Sequence, residues 1–247
     1  MRMKMKNKNT LLVGLLCILL SACSTTKNLP EGEILYTGID KLEVVNEDKT
    51  LAGVTALTEV EAALAYAPNN AILGSSSLRW PIPFGLWVYN GFEKYQDKKG
   101  VGRWIFDHLG KSPVLMSSVN GETRAKVATN LLRDYGYFNG SVSYQEVPQK
   151  NPKEAKVSYV IDMAQPYFLD SIAYLRYPHY ADSLIRSTHS QSVLKSGENF
   201  SVLKLEEERQ RLSSLFRNHG YYYYRPEFTT YRADTLQKPG YVSLQVV

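Results

Sequence analysis

Read as a pattern of apolar and polar positions, the chain spells one local plan twice. The first copy opens with a strand over Ile34 to Val45 and a helix over Leu57 to Tyr66, with Thr58 as its expected N-cap. A second helical stripe follows: Val127, Leu131 and Tyr135 recur every four residues, flanked by Ala128 and Leu132, with Asn120 as the expected cap. It halts at Gly136, because a helix that ends in a left-handed residue favours glycine, which has no Cβ to clash. A hairpin comes next, with strands over Ser141 to Val147 and Lys156 to Asp162 and a polar turn, Pro148 to Glu154, between them.

The second copy has a strand over Tyr167 to Leu175 and a helical stretch from Tyr180 to His189. Its stripe runs through Leu205, Leu212, Leu215, Phe216 and His219, with Ser201 as cap and Gly220 as stop. Strands over Glu227 to Arg232 and Tyr241 to Val247 close it. Arg133, Gly136 and Tyr137 coincide with Arg217, Gly220 and Tyr221 at a constant offset of 84 residues. Chance can supply one Arg-x-x-Gly-Tyr pair; helix, glycine stop, aromatic and hairpin in the same order twice is much harder to obtain by accident.

The plan predicts an α+β fold: tandem β-α-α-β-β domains, 33–164 and 165–247, each a small mixed three-stranded sheet covered by two helices. The hairpin pairs the last two strands and the first joins through the helical crossover, so one hairpin strand becomes an edge. The candidate edges are Ser141, Val142, Ser143, Tyr144, Gln145, Glu146 and Val147 in one copy, and Glu227, Phe228, Thr229, Thr230, Tyr231 and Arg232 in the other. Edge amides and carbonyls can complete a ladder with an extended client whatever its sequence. Pro226 suits an edge because proline donates nothing to a ladder.

Between the first helix and the first repeated block, residues 68–118 exceed an ordinary connection. This insertion holds Trp80, Trp87 and Trp104 together with Phe84, Tyr89, Phe92, Tyr95 and Phe106, interleaved with Lys94, Lys98, Lys99, Arg103 and Lys111. Two readings stay open. Leu86 to Tyr95 and Val101 to Leu109 form extra helices that bury their aromatic faces, or the segment lies on anionic headgroups, where Trp and Lys are favoured.

The front of the chain changes the picture of charge and location. Lys4, Lys6 and Lys8 precede an apolar run from Leu11 to Leu20. Ten helical residues rise about 15 Å, short of a hydrocarbon core of about 30 Å, so residues 1–22 read as a signal peptide. Leu20-Ser21-Ala22-Cys23 resembles the bacterial lipobox, which implies a diacylglycerol and acyl chain on Cys23, a tether over 23–32 and sorting to the outer membrane. Removing Arg2, Lys4, Lys6 and Lys8, which no leader acid balances, takes the net charge from +5 to +1, so no electrostatic footprint for nucleic acid survives. With Cys17 and Cys23 the only cysteines, a mature chain has neither an intrachain disulfide nor a thiolate zinc cluster.

Strand-helix-helix-strand-strand order with a glycine-aromatic step into the hairpin resembles the POTRA domain of the BamA/TamA outer-membrane assembly family. The lipobox, Leu86-Trp87-Val88-Tyr89-Asn90 and Pro113-Val114-Leu115 resemble more closely the TamL-like lipoprotein branch. The resemblance covers Cys23 to Val247. Family members continue into a membrane barrel, whereas Val247 falls inside a predicted strand. The resemblance implies a lipid-anchored periplasmic scaffold that handles unfolded barrel clients by strand addition and contacts an inner-membrane or periplasmic assembly partner. The alternative is a docking lipoprotein that joins envelope proteins without touching clients.

Enzyme chemistry finds little support, and neither a metal nor a non-covalent cofactor is expected. His108, His179, His189 and His219 lack metal spacing, and Gly110-Lys111-Ser112 lacks the earlier glycine of a phosphate loop. Glu206-Glu207-Glu208 lies early in its helix, where solvated acids complement the dipole, and His219 sits where a helix end favours a cation.

Overall fold

A computed structural model describes residues 25–247; the expectations placed on the leader and on Cys23 lie outside them. The chain runs β1 (Leu35–Val45), α1 (Leu51–Leu64), α2 (Phe84–Phe92), α3 (Val101–Leu109), a one-turn α4 (Met116–Val119), α5 (Gly121–Asp134), β2 (Ser141–Pro148) and β3 (Glu154–Asp162). It continues with β4 (Phe168–Tyr174), α6 (His179–Ser187), α7 (Val202–Asn218), β5 (Tyr231–Asp234) and β6 (Tyr241–Val246). The strands form two three-stranded sheets, ordered β1-β3-β2 and β4-β6-β5. In the second, β4 runs parallel to β6 and β5 antiparallel to it. The fold is α+β, as the apolar pattern predicts. By compactness the chain divides into one unit of residues up to Leu42, Ala65–Gly121 and Tyr144–Ser158, and another of Glu43–Leu64, Glu122–Ser143 and Tyr159–Val247.

Helix starts depart from expectation. α1 begins at Leu51, and Thr58 is internal, its hydroxyl donating to the Val54 carbonyl at 2.8 Å. The start is held instead by Thr50, whose Oγ1 accepts from the Gly53 amide at 3.2 Å. Leu51 and Val54 face solvent, so the first turn shows no apolar stripe; the buried face is Gly53, Ala56, Val60 and Leu64. Asn120 is left-handed (φ 47°) and joins α4 to α5. Ser201 takes the extended N-cap geometry of α7 without a side-chain bond, while its carbonyl accepts from the Leu205 amide.

The repeated glycines do as their motif predicts. Gly136 and Gly220 have φ of 90° and 98°. The next amide reaches back five residues in each copy, Tyr137 to the Leu132 carbonyl (2.9 Å) and Tyr221 to that of Phe216 (3.0 Å). That is the Schellman closure, which satisfies a carbonyl orphaned at the helix end. A further turn also recurs, Gly140 N–H to the Tyr137 carbonyl and Tyr224 N–H to that of Tyr221.

Strand alternation sets the cores. β3 buries Ala155, Val157, Tyr159 and Ile161, and β6 buries Val242, Leu244 and Val246. The second core gathers Leu169, Ile185, Leu194, Phe200, Leu212 and Phe216 around the β6 face. Each such side chain contributes about 1.5–3 kcal/mol by leaving water.

Candidate binding edges

In a three-stranded sheet the binding chemistry lies at the outer strands, so each edge is judged by what already occupies its backbone. β1 is occupied. Tyr36 donates to the Val114 carbonyl and Met116 to that of Ile34, both at 2.8 Å, so 114–116 pairs with the start of the strand. Further along, the Arg79 guanidinium donates to the Thr37 and Ile39 carbonyls, 3.2 Å each. Gly38 allows that approach, since a Cβ there would stand 2.2 Å from Arg79 Nη1. β4 is occupied at its start: Leu169 donates to Glu198 and accepts from Gly197, and Phe200 donates to Tyr167.

β2 is the exposed edge. Ser141, Ser143, Gln145, Glu146 and Pro148 are exposed, and Val142, Tyr144 and Val147 half-buried. The Val142 amide turns to Thr129 Oγ1 at 3.0 Å, and the Gln149 amide pairs inward with the Glu154 carbonyl at 3.0 Å. Strand alternation therefore puts the backbone groups of Tyr144 and Glu146 on the outward side with Val142. Pro148, also on that side, has no amide to offer. The Tyr144 ring lies over Gly121, where a Cβ would come within 2.2 Å of it, and its hydroxyl donates to Glu146.

The other expected edge is only half a strand. Glu227 and Phe228 belong to a 3-10 turn, Pro226–Phe228, with proline at its start. Proline fixes φ and lacks an amide, so pairing is deferred. Thr229 is buried, its carbonyl accepting from Arg209 Nε at 3.1 Å and its hydroxyl bonded to Tyr224. Thr230 pairs with Val247, and β5 proper holds Tyr231 and Arg232. The Tyr231 hydroxyl donates to the Leu205 carbonyl at 2.6 Å, with Arg209 over its ring.

The repeat residues divide by role. Arg133 and Arg217 are exposed in the last turns of α5 and α7, where a cation complements the dipole. Tyr137 is buried and donates to Asp48 at 2.6 Å. Burial alone raises the Asp48 pKa, but bonds from Tyr137 and Thr50 outweigh it and hold the carboxyl below its ordinary range. Tyr221 instead packs half-buried against Phe216, with ring centres 5.7 Å apart.

One residue expected in solvent lies in the core. Glu208 has no exposed surface. It accepts two bonds from Arg211 (2.9 and 2.5 Å), one from the Tyr174 hydroxyl (2.6 Å) and one from the Val193 amide (3.2 Å). Burial would raise its pKa, yet these donors bring it below the usual carboxylate value, while burial and Glu208 push Tyr174 to about 12. Helical spacing marks it in the sequence: 208 falls on the apolar stripe between Leu205 and Leu212.

His108 and His219 each bond the carbonyl four residues back in their helix, Trp104 and Leu215. Among the described residues no group of three or more His, Cys, Asp or Glu could hold a metal ion, and no helix is long and apolar enough to cross a membrane.

The chain matches no family model and no curated relative. Among solved structures it is similar to POTRA3-5 of Haemophilus influenzae BamA, at 10% identity and TM-score 0.33, over 89% of this chain and 98% of that one. It is also similar to POTRA1-2 of the periplasmic domain of Omp85 from Anabaena, at 14% identity and TM-score 0.33, over 88% and 96%. Against POTRA1-3 of the same Omp85 the figures are 13% and 0.35, over 88% of this chain and 62% of that one.

Proposed function

We propose that this chain is a lipid-anchored periplasmic scaffold of an outer-membrane assembly factor, of the TamL-like lipoprotein kind. Its two POTRA-like modules, 33–164 and 165–247, are tethered at Cys23, and β2 adds an extended segment of an unfolded barrel client to its sheet. One observation carries the reading: β2 is an eight-residue, mostly exposed edge strand, whereas the first half of β1 is covered by Arg79 and 114–116. Backbone pairing ignores client sequence, which suits a factor with many clients. The stage it implies is the periplasmic face of the outer membrane.

Photo-crosslinkers at Ser143 and Gln145 test this in cells. The expected adducts are unassembled barrel proteins, and Glu146→Pro, which removes one outward amide, is expected to reduce them. Adducts only with folded envelope proteins, unchanged by Glu146→Pro, would replace client handling with a docking role.

A further inference from the structure

Segment 68–118 folds into helices that put Leu86, Val88 and Met116 inside, yet several of its large apolar side chains stay outside. Among the nine residues of α3 none is buried, although Val101, Trp104 and Leu109 sit on it. Trp80, Phe84 and Trp104 are 61%, 62% and 56% exposed. An apolar-walled cavity of about 720 Å³ opens beside them, lined by Ile72, Leu73, Trp80, Ile82, Phe84 and Trp87 among others. The Trp87 indole N–H is buried there with no acceptor. Leaving such a donor unmatched costs about 1–3 kcal/mol. A surface of this kind is an interaction site rather than ordinary protein exterior.

Two further observations say what covers it. The segment carries six cations (Arg79, Lys94, Lys98, Lys99, Arg103, Lys111) against three acids (Glu93, Asp97, Asp107). Arg79 is engaged on β1 and Arg103 pairs with Asp107 at 3.2 Å, leaving Lys94, Lys98, Lys99 and Lys111 to meet anionic groups, each worth about 1 kcal/mol at a charged bilayer surface. The front of the chain is also held here. The Thr25 carbonyl accepts from Asn90 Nδ2 at 3.2 Å, and Asn28 Nδ2 donates to the Asn90 carbonyl at 3.3 Å. Asn90 belongs to α2, the helix that carries Phe84 and Trp87. Residue 23 is two residues from Thr25, a reach of about 7 Å.

We infer that this face docks on a phospholipid bilayer with anionic headgroups, placing Trp80, Phe84 and Trp104 at the headgroup–acyl boundary. The inference rests on the reading that Cys23 tethers the chain, because the tether delivers α2 to that surface. Trp104 stacked on His108 gives the face a flat polar-edged ring, with centres 4.9 Å apart, and Tyr95 lies beneath Lys94 and Lys98. Amphipathic rings and snorkelling lysines of this kind settle at such a boundary.

All three tryptophans of the chain lie in this segment, so selectively excited tryptophan emission of the full protein reports on this segment alone. The full chain is bound to phosphatidylethanolamine–phosphatidylglycerol vesicles with brominated acyl chains. Rings seated about 5–10 Å below the headgroups are expected to be quenched relative to unbrominated vesicles. Ile82→Ser with Phe84→Ser keeps every tryptophan and is expected to cut the quenching by about half. Lys98→Gln with Lys99→Gln, away from the core, is expected to weaken it and blunt its salt dependence. Emission indifferent to bromine while the protein stays on the vesicles overturns the docking and spares the tether. Vesicle binding unchanged by Cys23→Ser counts against the tether, and bromine quenching in that same variant still upholds the docking.

Discussion

The two β-α-α-β-β copies differ at matched positions and in the length of an edge strand. The offset of 84 places Val142 against Pro226 and Thr129 against Ser213. In the first copy the Thr129 hydroxyl accepts from the Val142 amide, and β2 starts there and runs for eight residues. In the second, Pro226 has no amide to give Ser213; the chain makes a 3-10 turn instead, and β5 keeps only four residues. The N–H that Val142 gives to Thr129 thus has no counterpart at Pro226, where the edge strand is the shorter one. The same offset sets Arg124 against Glu208. Arg124 Nη1 donates to the Ala63 carbonyl in the last turn of α1, whereas Glu208 accepts from the Val193 amide beyond α6. Opposite charges do similar jobs, tying the second helix of one copy to the end of its first helix and that of the other to the chain that follows its first helix.

The largest way to break that comparison is Glu208→Ala. It leaves the Arg211 guanidinium largely buried without its carboxylate, an expected loss of about 3–5 kcal/mol, read as a lower urea midpoint. Arg124→Ala removes the charge-assisted bond to the Ala63 carbonyl and leaves no buried charge behind, so it is expected to cost less, about 1.5–3 kcal/mol. Equal losses would show that the two ties are not different in kind.

Next are the glycine stops. A Cβ on Gly136 would stand 2.6 Å from the Phe200 carbonyl oxygen, while Gly220 has open space around it. Gly220→Ala meets only the left-handed penalty of about 1–2 kcal/mol, and Gly136→Ala is expected to exceed it because a backbone carbonyl cannot swing aside. A thermal melt in which the two variants shift equally would remove the asymmetry.

The smallest effects concern single bonds. Thr129→Val is expected to cost about 1 kcal/mol and to speed exchange of the Val142 amide; an unchanged exchange rate would mean that the hydroxyl does not start the strand. Tyr137→Phe is expected to cost a similar amount, about 1 kcal/mol, and to change the acid response. Asp48 titrates below its ordinary 3.8 in the folded chain. Its contribution is therefore present above pH 3.8 and fades as pH falls through the lowered value. The gap between wild type and Tyr137→Phe in an acid titration should close over that interval.

Legibility followed the range of the forces. Glycine stops, closing turns and strand alternation depend on neighbours within a few residues, so β3, β6, Gly136 and Gly220 could be read directly. The start of α1 could not, since Leu51 and Val54 face water and Thr58 imitates a cap. Glu207 and Glu208 are adjacent and chemically alike, yet one is exposed and the other fully buried. Helical spacing hinted at the difference, but Tyr174, 34 residues earlier, and Val193 supply the partners. Likewise nothing near Arg79 in the chain announces the Thr37 and Ile39 carbonyls, 42 and 40 residues away, that it covers.

Order of elements, places where helices stop and alternation of strand faces were thus settled by the amino acids in local succession, because backbone sterics and side-chain period act without regard to the rest of the chain. Which edge stays uncovered, which acid enters a core and which aromatic face is left outside were settled by folding in three dimensions. Those outcomes depend on partners far along the chain, and a hydrogen bond or a desolvated charge has a sign only once its partner has arrived.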